Sequence, residues 1–358
     1  MATVLNPKPG IMDIHPYVAG EAKIEGVTEF IRLASNENAL GCSEQAKEAY
    51  KNQIDLLHRY PNSAATDIRA ALAQQNGIDA DQIVCGAGSD ELISLIIRAY
   101  AGVGDEVLYS EHGFLMYAIG AKAVGATPVT APETNLTADV DALLSKVTDK
   151  TKLLFLANPN NPTGSYLKKD ELVRLRENLP EHILLVIDAA YDEFAEHLDG
   201  YSSGMELVNT YNNVVMLRTF SKIHGLAGLR LGWGYFPSHV ADVINRVRGP
   251  FNVCAPAQAA GIAALNDHDF IHRSVTHNTE WKSWMENELQ KLSIETVPSA
   301  GNFLLAKFGN ETNDVHQQLR AQGIFIRPIG AYGLGEYLRI TIGTEYENKK
   351  LCSALAQL

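Results

Sequence analysis

Between residue 37 and about residue 245, short apolar runs alternate with stretches of helical spacing, and within the runs consecutive positions stay apolar. A strand that is apolar on both sides is buried on both faces. The pattern therefore predicts an α/β fold, a mostly parallel sheet covered by helices. Residues 152–157, 183–187 and 214–218 are three such strands, and residues 92–100 read as a helix. After Pro250 an Ala-rich stretch, 251–266, is helical, and 270–292 reads as one long helix crossing into a second unit. From Ile294 the pattern changes to strands at 302–308, 325–327 and 337–342 around one helix, which predicts a smaller α+β domain. Pro7, Pro9, Gly10 and Pro16 make the first residues an extended arm. The expected organisation is an arm over 1–36 joining the small domain, a large domain over 37–250, interdomain helices over 251–292, and a small C-terminal domain over 293–358. A substrate would sit in the cleft between the domains.

The chemistry gathers where the central strands end. Residues 152–157 run into Asn158-Pro159-Asn160-Asn161-Pro162-Thr163-Gly164, a turn stiffened by two prolines. Residues 183–187 stop at Asp188, with Tyr191 and Glu193 just beyond. A carboxylate behind five aliphatic residues is costly to desolvate unless it meets a cation. Residues 214–218 deliver Thr219, Ser221 and Lys222, and Arg230 follows across a glycine-rich stretch. Three strand ends thus bring an amide, a carboxylate and an amine to the carboxyl edge of an open sheet, where such sheets hold their ligands. An amine for an aldehyde, donors for a phosphate and an acid for a pyridinium suit pyridoxal 5'-phosphate. The same residues also admit plainer roles: Lys222 on a solvated loop, and Asp188 as a helix cap.

With these motifs the chain resembles the fold-type I pyridoxal-phosphate enzymes, and among them the histidinol-phosphate aminotransferase branch of the class I/II aminotransferases. The resemblance runs from His15-Pro16-Tyr17 to Leu338-Arg339-Ile340-Thr341-Ile342-Gly343-Thr344. It implies a large domain with a mostly parallel sheet plus a smaller α+β domain. It also implies that Lys222 bonds the cofactor aldehyde and shuttles a proton, and that Asp188 pairs with the ring nitrogen. Asn158 and Tyr191 would hold the phenolic oxygen. Ser89 and Asp90, in the Gly88-Ser89-Asp90-Glu91 turn, would bind the phosphate together with Ser221 and Arg230, and Thr219 would also contact the cofactor. Phe114 would stack on the ring, its plainer role being core filling. Tyr60, in Arg59-Tyr60-Pro61, would reach the cofactor phosphate of a neighbouring subunit, which implies a homodimer with shared sites.

For the substrate, Arg339 matches the arginine that forks onto the α-carboxylate, and Arg327 with Tyr17 matches residues that hold the phosphate of histidinol phosphate. Structural salt bridges are the alternative for both arginines, and a turn role is the alternative for Asn36, which otherwise reaches the substrate. The implied reaction is transamination of histidinol phosphate with 2-oxoglutarate in histidine biosynthesis. An aromatic amino acid (phenylalanine or tyrosine) aminotransferase of relaxed specificity and a pyridoxal-phosphate-dependent phospho-amino-acid decarboxylase stay open beside it. A ligand-binding regulator without turnover is disfavoured by Lys222 and by the lack of a basic DNA-binding segment.

Composition narrows the partners. Apolar residues make up 46% of the 358, and the net charge is −12, so a nucleic-acid surface is excluded. Four scattered cysteines, no apolar run near the ~20 residues of a membrane span, and no signal-peptide core point to the cytoplasm. Gly86-Ala87-Gly88 begins like a dinucleotide fingerprint, but Glu91 takes the sixth position. His268 and His272 stand one helical turn apart with Asp269 where a metalloprotease needs glutamate, so no metal is expected.

Overall fold

The computed structural model describes residues 7–16 and 30–358. Its centre is a sheet of seven strands in the spatial order Ile83–Gly86, Gly232–Tyr235, Val214–Thr219, Leu184–Asp188, Thr151–Ala157, Glu106–Ser110, Thr127–Ala131. Six strands run the same way, and Gly232–Tyr235 alone is antiparallel to both neighbours. The central strands are apolar at successive positions because each face carries its own core. Leu154, Leu156, Leu185, Ile187, Val214 and Met216 point into one cluster, whereas Leu153, Phe155, Val186, Val215 and Leu217 point into the other. Each such side chain contributes roughly 1.5–3 kcal/mol on full burial. That is why polar groups are confined to the strand ends.

The helices Ser89–Tyr100, Leu115–Val124 and Ser238–Val247 cover the second face, and Thr66–Asn76, Lys169–Asn178 and Ala255–Asn266 cover the first. A second sheet has the order Ile31–Leu33, Ile324–Pro328, Tyr337–Thr341, Phe303–Lys307, Glu295–Val297. Ile31–Leu33 pairs in parallel with Ile324–Pro328, and the other pairings are antiparallel. Two helices pack on this sheet rather than the single one expected, Thr312–Ala321 and Glu345–Leu355, joined by Met285 and Leu289 from the long helix His268–Lys291. The extra helix starts at a capping box: Thr344 accepts from the Glu347 N–H, and Glu347 reaches back to the Thr344 N–H. No helix among the described residues is long and apolar enough to cross a membrane. Nor do the described residues gather three or more His, Cys, Asp or Glu side chains that could hold a metal ion.

Candidate active site

A cavity of about 280 Å³ opens where the ends of Thr151–Ala157, Leu184–Asp188 and Val214–Thr219 meet the edge of the second sheet. Ser89, Asp90, Phe114, Asp188, Tyr191, Thr219, Ser221, Lys222 and Arg230 line it from the large sheet's side. Asn36, Arg327 and Arg339 line it from the other. Twelve of the residues expected from the sequence therefore share one cavity. Tyr17 lies outside the described residues.

One end of the cavity is built for an anion. Helix Ser89–Tyr100 starts at the wall behind Gly88, whose φ of 83° suits glycine. The first N–H groups of a helix have no intrahelical acceptor, and the helix dipole favours negative charge there. A side chain at Gly232 would collide with the backbone of Gly88 and Ser89, so the antiparallel strand presses directly under this turn. Arg230 spans the opening: its Nη1 donates to Ser221 Oγ (3.3 Å) and its Nη2 meets Asp90 Oδ2 (3.1 Å). Thr219 Oγ1 accepts from the Ser221 N–H at 3.1 Å and so fixes the approach to Lys222.

At the centre, Lys222 is half-buried, with Nζ donating to the Ser35 carbonyl at 3.3 Å and lying 5.6 Å from the Tyr191 ring centroid. Asp188, at the last position of its strand, is buried. Burial pushes its carboxyl up to about 6, against the opposing pull of a hydrogen bond from Tyr117 (2.9 Å) and the charge of Lys222, with Asp90 adding a further upward push. Asp188 Oδ1 has no hydrogen-bond partner among the described residues. The Tyr191 hydroxyl accepts from Asn36 Nδ2 at 2.9 Å. Asn36 itself is locked by Thr341, which accepts from its N–H and donates to its Oδ1.

Asn158 departs from its expected place. It is fully buried and does not line the cavity. Its Nδ2 donates to the carbonyls of Leu167 (3.2 Å) and Ser202 (3.0 Å), and its Oδ1 accepts from the Leu167 N–H (2.7 Å). The amide is consumed in tying the turn to the segment behind it. Asn161, from the second Asn-Pro pair of the same turn, stands in the cavity wall instead, and its Oδ1 accepts from Arg339. Tyr60 is 82% exposed and stacks on Phe251 at 4.5 Å, outside the cavity of its own chain. Two further residues escaped sequence reasoning. Tyr332 lines the cavity beside Arg327, and Tyr117 lies under Asp188.

Beneath the strand ends lies a buried ionic cluster. Arg218 meets Asp192 at 2.9 Å and Glu193 at 2.7 Å, with His224 Nε2 3.7 Å from Glu193. Burial, then the charge of Arg218, pushes His224 down to about 3, so its ring stays neutral. The cluster anchors the segments that carry Tyr191 and Lys222, because removing either partner of a buried pair strands the other charge.

The model of the family described as aminotransferase class I and II matches residues 28–355. The chain belongs to this family. Over 355 residues, covering 98% of each chain, it is 56% identical to a histidinol-phosphate aminotransferase of Paramagnetospirillum magneticum. It is 52% identical to one from Rhodospirillum rubrum, over 99% of this chain and 97% of the relative. Among solved structures, the histidinol-phosphate aminotransferase of Sinorhizobium meliloti in complex with pyridoxal 5'-phosphate superposes with a TM-score of 0.91 at 29% identity, covering 97% of this chain and 96% of that one. An aspartate aminotransferase of Thermus thermophilus, 20% identical with a TM-score of 0.83, shares the fold. Both sheets and the cavity between them thus belong to a fold-type I aminotransferase.

Proposed function

We propose that this chain is a pyridoxal-phosphate-dependent aminotransferase that interconverts histidinol phosphate and 2-oxoglutarate with imidazole acetol phosphate and L-glutamate in histidine biosynthesis. The observation that carries the reading is Asp188 Oδ1, buried, without a partner among the described residues, at the wall of a cavity that also holds an amine and an anion cup. A buried, unsatisfied carboxylate oxygen fits a cationic ring N–H. When bound, the cofactor supplies an aldehyde for the substrate's amino group and a protonated ring that accepts the electron pair left at Cα.

The protein's side chains do the rest. Asp188 holds the ring nitrogen's proton. Phe114 covers one face of the ring. The first N–H groups of helix Ser89–Tyr100, with Ser221, Thr219 and Arg230, bind the phosphate, and Asp90 keeps Arg230 in place. Lys222 is the amine that would hold the cofactor through its aldehyde, and its Nζ, facing the cavity, would take and return the proton at the substrate's Cα. Tyr191, steadied by Asn36, meets the phenolic oxygen, and Asn161 takes the part expected of Asn158. Arg339, buried against Phe303 and donating to the Ala34 carbonyl, presents its planar fork to the α-carboxylate of glutamate. Arg327 holds the phosphate of histidinol phosphate. The keto product leaves before the second substrate enters, which gives ping-pong kinetics.

A homodimer completes the site. Tyr60 stacks on exposed Phe251, and Ile54, Leu56 and Leu57 just before it in the chain are exposed as well, apolar surface of the kind that a partner covers. Buried there, Tyr60 would reach the partner's cofactor phosphate. Ile31–Leu33 joins the second sheet in the small domain. The arm expected to do so over its whole length lies at Ile11–Asp13 against helix Leu115–Val124 of the large domain, where Lys122 Nζ donates to the Asp13 carbonyl. Residues 37–250 make the large domain and the helices of 251–292 the connection. We assign the enzyme to the cytoplasm.

The test is single-turnover spectroscopy of the holoenzyme mixed separately with histidinol phosphate, glutamate and phenylalanine. Fast loss of the lysine-bound cofactor's absorption with the first two alone supports the reading. Comparable loss with phenylalanine would make the enzyme an aromatic aminotransferase. Carbon dioxide release from a phospho-amino acid would replace transamination altogether.

A further inference from the structure

Tyr117 is fully buried in helix Leu115–Val124, one turn beyond Phe114. Its ring stacks on Phe155 at 4.6 Å and meets the edges of Tyr109 and Phe114, each at 5.9 Å. Phenylalanine would fill this aromatic pack equally well. The hydroxyl therefore needs a separate reason, and its partner is Asp188 Oδ2 at 2.9 Å. We propose that Tyr117 is a positioning residue for the reaction: its donation to Oδ2 keeps Asp188 charged and turns Oδ1 to the cavity to hold the cofactor's ring proton. This inference rests on the function proposed above.

The direction of the hydrogen bond is fixed. Burial, and then the charge of Asp188, holds the Tyr117 phenol well above its usual range, so toward an ionised Asp188 at neutral pH it is the donor. The other groups facing the pair are Asp90, Lys222 and Tyr332. Asp90 raises the Asp188 carboxyl, whereas Lys222 and a hydrogen bond from the Ala190 N–H lower it, so Tyr117 is the one neutral side-chain donor to Asp188 among these groups. A proton shared between a carboxylate and a pyridine nitrogen sits on the more basic of the two. Without the hydroxyl, Asp188 becomes more basic and draws the proton off the ring. A neutral ring accepts the Cα electron pair less readily. Tyr117 thus touches neither substrate nor cofactor and acts through Asp188.

The experiment reconstitutes wild type, Tyr117→Phe and a control, Tyr109→Phe, with pyridoxal phosphate carrying a ¹⁵N-labelled ring, and reads the nitrogen's chemical shift near neutral pH. The expected result is a protonated ring in wild type and the control, a move toward the neutral position in Tyr117→Phe, and a fall in kcat of about ten- to a hundredfold, the worth of one hydrogen bond to a charged group. The KM for glutamate should stay within about twofold. An unchanged shift in Tyr117→Phe would overturn the proposal, as would an equal move in Tyr109→Phe, which would make the effect one of packing. A double-mutant cycle gives a second reading: the same substitution placed on Asp188→Asn should cost almost nothing further. An equal cost in both backgrounds would also overturn it. A wild type that binds no cofactor would instead sink the proposed function.

Discussion

Asp188 makes a prediction whose size follows from its burial. An exposed aspartate titrates near 3.8, whereas burial raises Asp188 to about 6 in the protein without cofactor. Because the folded value lies above the unfolded one, the group stabilises the fold fully below about pH 4, and that contribution is lost as pH rises through about 6. The displacement is about two units, and at about 1.36 kcal/mol per unit the loss is about 3 kcal/mol. Asparagine keeps the shape and carries no charge, so Asp188→Asn should be the more stable apoprotein at neutral pH, by up to about 3 kcal/mol. The two should converge toward pH 4. The assay is urea unfolding of both apoproteins, followed by circular dichroism in parallel at several pH values, so that titrations common to both cancel in the difference. Adding cofactor should reverse the order at neutral pH, since only the carboxylate gains a cation. Parallel stability curves from pH 4 to 8 would refute the reasoning, because they would mean that Asp188 is not desolvated.

The arginine proposed to hold the substrate phosphate and the paired asparagines give sharper contrasts. Arg327→Ala should raise KM for histidinol phosphate by about ten- to a hundredfold and leave glutamate within about threefold, since only the former presents a phosphate; equal losses in steady-state kinetics would make Arg327 structural. Asn158→Ala should cost at least about 2 kcal/mol of stability, because the buried Leu167 and Ser202 carbonyls both lose a donor. Asn161→Ala should instead leave the thermal midpoint nearly unchanged and alter the pH dependence of the bound cofactor's absorption. Tyr60→Phe should weaken cofactor retention in dialysis if the partner's site uses its hydroxyl, and unchanged retention would remove it from the site.

Most of the scaffold was legible because burial on both faces leaves a plain trace. Thr151–Ala157, Leu184–Asp188 and Val214–Thr219 are apolar at nearly every position, and the polar residue that ends each run is conspicuous. Glycine-rich Gly232–Tyr235 carries no such trace, since Gly232 answers to the backbone of Gly88 and Ser89, and Gly234 to the core side chains of Leu217 and Phe236 that leave it no room. Helix Glu345–Leu355 went unread although Thr344 and Glu347 spell a capping box, a signal available in the sequence. Asn158 and Asn161 could not be told apart by pattern. Both precede proline in one turn, and only the folded path decides which amide faces inward. Tyr117 was hidden for a different reason: on an apolar helix an aromatic residue reads as core, and its hydroxyl gains meaning only from a carboxylate 71 positions away.

That last case bears on how the site works. Cores of this kind exclude polar atoms, yet Asp188 lines the cavity with Tyr117 bonded behind it, and Arg218 is buried with Asp192 and Glu193. None is an economical choice for stability alone, since apolar residues of similar volume often serve as well or better. The gain is in fixed direction. Water around a solvated carboxylate would reorient as charge moved onto the ring, whereas groups already packed and bonded do not have to. Asp188 is therefore useful in proportion to how completely it has been removed from water, provided that something other than water keeps it charged. In the role proposed for it, Tyr117 supplies a neutral side-chain donor without competing for the ring nitrogen, and the ionic cluster beneath holds the flanking strand ends still. A site assembled this way should tolerate changes in the pocket's rim more readily than changes to these buried partners, and rim residues such as Arg327 are where substrate choice can be altered without disturbing the chemistry.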